Sequence, residues 1–418
     1  MELDTLCRLL GFAEKEKKVL QPFFAEFQKN CDESFPEFMK PENAMKYYPF
    51  TKRNVPVEER MRLVAGIVEK NPAYRFFANM LHYGFYRRDP WCIELNNLSH
   101  IEKAFNENTG MFYLMIALGA FPLIFKRYKE MDIPQDMAEK TALWLGGAMD
   151  IHAAGHNGVP GVNAIQLHWL WHAADGKLFR IGRLEYLLHK YPDWVPLIYR
   201  NRKNGKICLL SRSGITYTQE GRRPGPEENS NLTESFLEDD SNNIRGYRIL
   251  PDGYADVSKI AVLNKNEWEC AADAEEIIPS IHIPAGEALP ESSVRDSMLE
   301  AVKFFREHLH LNIPVFVSSS WLFFYEWQKE LPGSNIAAFA KEGYRFPTFP
   351  LNKTSGLFFV FGRSDLEIEK LPQNSSLEKA FHRILSSGRL LGECGWLFLT
   401  NDIEKYGSCM YCKQYDIP

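Results

Sequence analysis

Three groups of residues have the types and spacing to do chemistry. The first lies between Ile277 and Val294, where an apolar strand passes His282 and runs through Pro284-Ala285-Gly286-Glu287-Ala288-Leu289 into a helix that opens on Pro290. A strand feeding a helix through a short loop aims backbone N–H groups and the positive helix end at one point, which suits phosphate. His282 brings an imidazole that titrates near neutrality, fit for proton transfer or for a hydrogen-bonded place in the core. The second group is His152-x3-His156 and His168-x3-His172, a spacing that puts two imidazoles on one helix face, as zinc pairs require. Ala153 and Trp169 stand where a zinc hydrolase would carry Glu, and Gly155, Gly158, Pro160 and Gly161 interrupt a helix through the first pair. The third is Cys409-Met410-Tyr411-Cys412; no second such pair exists to complete a four-ligand zinc site, so incidental cysteines are the simpler reading.

The elements that must position these residues differ along the chain. Residues 57–69, 73–86, 101–128 and 137–144 carry apolar side chains at three- and four-residue spacing, with Asn108 and Gly110 as a break in the third. An all-α domain over 1–175 follows. After Gly176 the period shortens to strands at 178–188, 195–202, 207–210, 215–218 and 247–250, and Lys203-Asn204-Gly205-Lys206 reads as a two-residue type I′ turn. Residues 221–243 hold prolines, acids and Asn/Ser runs, the composition of a solvated, mobile insertion. From Glu276 onward strands alternate with helices, including an amphipathic one over 290–309 and one capped by Ser375-x-x-Glu378. The fold class is α+β: an all-α N-terminal domain, then a mixed α/β domain over 176–418 with a central, mostly antiparallel sheet.

Composition narrows the function. With 418 residues, 45% of them hydrophobic, and a net charge of −5, the chain can bury a full core and lacks the basic excess of a nucleic-acid binder. The apolar run 110–125 falls short of a bilayer span and contains Gly119 and Pro122, so a core helix and no membrane are expected. Acids at Glu2 and Asp4 and eight scattered cysteines point to a reduced, cytoplasmic protein.

Four segments carry a resemblance: Arg180-Ile181-Gly182-Arg183-Leu184-Glu185-Tyr186, Ser280-Ile281-His282-Ile283-Pro284-Ala285-Gly286, Ser320-Trp321-Leu322 and Leu331-Pro332-x-Ser334-Asn335-Ile336. They resemble a bacterial acyltransferase family with a helical N-terminal acyltransferase-associated domain and a C-terminal domain like the GCN5-related N-acetyltransferases (GNAT). The resemblance covers most of the chain. It implies acyl transfer from acetyl-CoA or another acyl-CoA, as co-substrate, to a small-molecule or peptide amine. The donor's pyrophosphate and pantetheine would then meet Ile283, Ala285, Gly286, Ser292, Ser293, Ser319 and Ser320. His282, or Glu185 or Glu287 in its place, would serve as base, and Tyr325 would protonate the leaving thiolate. Arg180 and Arg183 would bind an anion or make surface ion pairs. The usual acetyltransferase phosphate loop, with its paired glycines, is missing. Pro284 and Pro290 offer no N–H, and Glu287 and Glu291 would stand near the phosphates. A non-catalytic ligand-binding module of the same fold and a metal hydrolase built on the four histidines are the alternatives.

Overall fold

Apolar residues at helical spacing form helices throughout the N-terminal part of the computed structural model, which describes residues 1–89, 92–98, 102–272, 275–286 and 288–415. Glu58–Lys70 buries Met61, Val64, Ala65 and Val68 along one stripe. Pro72–Tyr86 begins where the Asn71 side chain accepts the Ala73 N–H, with Pro72 at a position that has no donor to waste. The third helical stretch breaks twice: a 3-10 turn over Asn106–Asn108 precedes Thr109–Leu118, and Gly119 and Ala120 precede Phe121–Glu130. Its expected start, Ile101, lies outside the described residues. Taken together, Asn106–Glu130 has the length and apolarity to cross a membrane, yet 78% of its most apolar window is buried inside the protein. It is the core helix of this part. Gln135–Ala142 and Trp144–Gly155 complete the longer helices.

The chain divides into two units, Met1–Arg180 and Ile181–Pro418, and the division falls within the first strand, β1 (Leu178–Ile181). The second unit continues with β2 (Leu184–Lys190), β3 (Leu197–Asn201), β4 (Ile207–Leu210), β5 (Thr216–Tyr217), β6 (Thr233–Glu234), β7 (Leu237–Asp239), β8 (Asn243–Ile249), β9 (Ala255–Asn264) and β10 (Trp268–Cys270). Then β11 (Ile277–His282), β12 (Val315–Ser320), β13 (Tyr344–Pro347) and β14 (Cys394–Leu399) alternate with helices, the longest of them Glu291–His308. One sheet runs β2-β11-β12-β14-β13 within this unit; a second runs β10-β3-β4-β8-β7, with β9 also paired to β8. The pairings recorded in the first sheet are antiparallel except β11 with β12. The architecture is therefore a helical N-terminal part followed by a mixed α/β part built on mostly antiparallel sheet.

Two local expectations change. The β3–β4 hairpin forms, but Asn204 does not take the positive φ that type I′ requires; only Gly205 does, at 69°. Asn201 explains the longer loop, because its side-chain oxygen accepts the N–H groups of Lys203 (3.0 Å) and Asn204 (3.2 Å). Within 221–243, read from composition as a solvated insertion, β6 and β7 form and Arg222 pairs with Glu228.

Gly221 anchors the start of that segment. Its φ is 79°, it exchanges backbone bonds with Thr218 and Ala255, and a Cβ would fall 1.9 Å from the Ala255 carbonyl oxygen. Gly214, at φ 80°, has open space at the same point. Gly221→Ala should therefore destabilise by about 2–4 kcal/mol in urea unfolding, adding a backbone clash to left-handed strain, whereas Gly214→Ala shows the strain alone, about 1 kcal/mol. Equal losses at the two positions would show that the Ala255 contact carries no weight.

Candidate functional site

The site begins where the parallel pair parts. β11 and β12 share a single register position, Ser280 opposite Val317, although both strands continue beyond it. Past that point Ser318 Oγ donates to the Ile281 carbonyl at 2.7 Å, so a side chain takes the acceptor that a continuing ladder would use. On the other side β11 stays fully paired with β2, His282 lying opposite Glu185. Residues in register share a face, so His282, Ser280 and Glu185 project together, and Ser319, two residues beyond Val317, joins them. Glu185 is 1% exposed, which sets a carboxyl group in a dry position beside the imidazole.

The loop that follows is held from beneath. Pro284 is buried while Ala285 and Gly286 are exposed, and Gly286 takes φ 94°, a conformation that glycine adopts without penalty. Arg183 Nη2 donates to the Pro284 carbonyl and Nε to the Ala288 carbonyl, each at 2.9 Å. Arg183 and Arg180 are both buried, each 7% exposed. Arg183 thus clamps the loop through two backbone carbonyls. Helix Glu291–His308 opens at Pro290 with no side-chain cap; Ser292 is exposed and Ser293 half-buried in its first turn. Among the described residues no side chain caps its leading N–H groups.

The two acids expected to crowd this seat fare differently. Glu287 lies outside the described residues. Glu291 packs its carboxylate on Gly407, where an added Cβ would come within 2.0 Å of Oε1, so it is drawn toward the loop after β14. The same loop uses the cysteine pair: Cys409 Sγ donates to Glu342 Oε1 at 3.0 Å and Cys412 Sγ to the Lys341 carbonyl at 3.1 Å. Burial, then the Glu342 carboxylate, pushes the Cys409 thiol up to about 12, which suits neither a metal thiolate nor a reactive one.

At the far ends of β12 and β14, Ser319 Oγ meets Thr348 Oγ1 at 3.1 Å, and Thr348 donates on to the Glu393 carbonyl. Ser320 points to the opposite face and accepts the Leu322 N–H at 3.2 Å, capping the turn Trp321–Phe323. The two serines grouped by sequence therefore have different surroundings, and Ser320 acts as a cap. Tyr325 packs at a tilt against Tyr254, ring centroids 4.8 Å apart, and its buried hydroxyl has no hydrogen-bond partner among the described residues. Burial first, then the Cys394 thiol, raises its pKa, so the phenol keeps its proton. A protonated, unpaired donor in a protein interior is unusual and fits a group that meets its partner only when a ligand arrives. Glu393 was not singled out by sequence; burial raises its pKa, and its only cue was its place one residue before a strand.

The histidine cluster does not make a metal centre. His152 and His156 stack face to face at 4.0 Å, and their Nδ1 atoms bond the Val159 and His152 carbonyls. Among the described residues no group of three or more His, Cys, Asp or Glu side chains could hold a metal ion. A cavity of about 490 Å³ lined by Arg200, Arg306, Ile313 and Thr400 lies at the other end of β12, away from His282, and takes in none of the candidate residues.

Comparison with known proteins bears on the fold. A family model described as a GNAT-like C-terminal domain matches residues 178–397. Among solved structures, an acyltransferase in complex with decanoyl-CoA and teicoplanin is 18% identical, with a TM-score of 0.60 over 96% of this chain and 99% of that one. An acyltransferase mutant in complex with octanoyl-CoA is also 18% identical, with a TM-score of 0.59 over the same shares. A complex with decanoyl-CoA alone is 17% identical, with a TM-score of 0.59 over 95% of this chain and 99% of that one. At such identity the likeness speaks for the fold. No curated protein matches the chain. The matched segment spans β1 through most of β14 and includes the strand-loop-helix after His282, and on it the chain belongs to the family that carries the GNAT-like C-terminal domain.

Proposed function

We propose that the protein transfers an acyl group from an acyl-CoA to a small-molecule or peptide amine. The observation that carries this reading is the parting of β11 from β12 next to an uncapped helix N-terminus. The opening admits a narrow chain, and the helix end supplies N–H groups for its phosphates. Ile283, Ala285, Gly286, Ser292 and Ser293 would line the phosphate end and Ser319 the chain. His282 would take the proton of the attacking ammonium group and Tyr325 would protonate the departing sulfur. The fold is shared with acyltransferases solved with octanoyl- and decanoyl-CoA, and one of those complexes also contains teicoplanin, a glycopeptide. These support a thioester donor and a small-molecule or peptide amine as the acceptor class.

Thermal unfolding tests donor binding. Decanoyl-CoA at about a hundred times its dissociation constant should stabilise the protein by about 2.7 kcal/mol, seen as a rise in Tm of several degrees. CoA lacking the acyl chain should give a smaller rise. No shift with CoA, acetyl-CoA, octanoyl-CoA or decanoyl-CoA would end the acyltransferase reading. A shift with no release of CoA thiol across a panel of amines would favour the non-catalytic binding module.

A further inference from the structure

The row of side chains that begins with His282 does not end at Ser319. β14 runs antiparallel to β12, with Gly395 opposite Ser319 and Cys394 opposite Ser320. Glu393, two residues before Gly395, therefore falls on the face that carries Ser319 and His282, at the end of the sheet where β11 and β12 part. Contacts agree with this placement. Ser319 Oγ meets Thr348 Oγ1 at 3.1 Å, and Thr348 Oγ1 donates to the Glu393 backbone carbonyl at 3.3 Å. His282 thus stands on one side of the opening and Glu393 on the other.

The Glu393 carboxyl group is held but not neutralised. Among the described residues its one side-chain bond comes from Ser355 Oγ at 3.5 Å, the weak limit of such a bond. Ser355 is fixed in turn by Asn352, whose Nδ2 donates to its hydroxyl at 2.8 Å and whose Oδ1 accepts its N–H at 2.7 Å. The other Glu393 oxygen bonds none of the described residues and stays open to solvent, the residue being half-buried. Arg223 reaches the Thr348 carbonyl at 3.5 Å but forms no ion pair with Glu393, and neither does any other described cation. Burial, with no such partner to oppose it, raises the pKa of the group. A half-buried carboxylate of this kind gains most from a donor that brings its own positive charge.

We propose that Glu393 determines the charge class of the acceptor: its carboxylate receives the ammonium group of the incoming amine and seats it beside Ser319, across the opening from His282. This rests on the acyl-CoA reading above and deepens it, because the acceptor must then arrive protonated. The ammonium hydrogens donate to the carboxylate as charge-assisted bonds and hold that group in its charged form. His282 takes the proton only as the nitrogen attacks. An acceptor that is uncharged near neutral pH, such as an alcohol, gains nothing from this contact.

Steady-state thiol release by the full-length protein, with decanoyl-CoA and an aliphatic amine that the wild type acylates, tests this. Glu393→Gln keeps the shape and the Ser355 bond but removes the charge. It should raise KM for the amine by about tenfold or more, with kcat and the KM for decanoyl-CoA within about threefold of wild type. The N,N-dimethyl derivative of the same amine keeps the positive charge but has no hydrogen to lose on acylation. It should inhibit the wild type in competition with the amine, and its inhibition constant should rise in Glu393→Gln by the same factor as KM. The wild-type inhibition stands even if that variant fails to fold. An amine KM unchanged in Glu393→Gln would overturn the proposal, as would a loss confined to kcat, which would make Glu393 a base. A wild type that the dimethyl derivative does not inhibit would overturn it too. In each of these cases the acyltransferase is left standing. Absence of any Tm shift with decanoyl-CoA would instead refute the acyl-CoA reading itself.

Discussion

Exchanging His282 for Gln should lower kcat for amine acylation by about 10²–10⁴-fold while decanoyl-CoA binding stays within about threefold, the signature of a lost proton acceptor. The expectation follows from placement. His282 closes β11 at the point where the strand has left β12 and is still paired to β2, so the ring is fixed by sheet geometry beside the opening. Glu185, directly opposite and buried, is positioned to orient it or to stabilise its charged form. Gln preserves most of the volume and one hydrogen bond but cannot accept and release a proton. Steady-state kinetics with an amine that the wild type acylates, paired with calorimetric binding of decanoyl-CoA, separates the two effects. A kcat within threefold of wild type would remove His282 from the mechanism and turn attention to Glu393.

The largest expected loss of stability is at Asp402. This carboxylate, 2% exposed in the turn Thr400–Lys405 after β14, accepts from Arg200 Nη2 at 2.5 Å and from the Tyr411 hydroxyl at 2.8 Å. Arg200 belongs to β3 in the second sheet, so the pair ties the two larger sheets of the second unit together. Asp402→Ala would strand a largely buried guanidinium and a fully buried phenol, at about 3–5 kcal/mol. For a unit of this size that is a fall in Tm of about 10 °C. Asp402→Asn, which keeps one acceptor, should lose less. Chemical unfolding of both variants checks this, and a loss below about 1 kcal/mol for Asp402→Ala would mean that the pair contributes little.

Much of the second unit's architecture was legible because its cues are local. The helical stripe of Glu291–His308, the Ser375–Glu378 capping box and the alternation of strand and helix after Glu276 depend on residues within a turn or two of one another. The strand-loop-helix at the site was visible for the same reason. β9 was missed, since its exposed Ser258, Lys259 and Ile260 break the alternation that marks a half-buried strand; seven register pairs with β8, on either side of a bulge, hold it instead.

By itself, then, the sequence determined a helical N-terminal part, a strand-rich C-terminal part and a loop after His282 suited to an anion. Tertiary structure alone decided what those residues can do. Sheet order places β14 beside β12 and leaves β11 and β12 in a single shared register, a contact between segments more than thirty residues apart. Arg183 clamps the loop and His189 reaches Ser280 across separations of about a hundred residues. Glu291 packs on Gly407, more than a hundred residues along the chain, which offers it room. Periodicity and capping record a residue's immediate neighbours in the chain, whereas a site's chemistry depends on neighbours in space, which the sheet pairing selects.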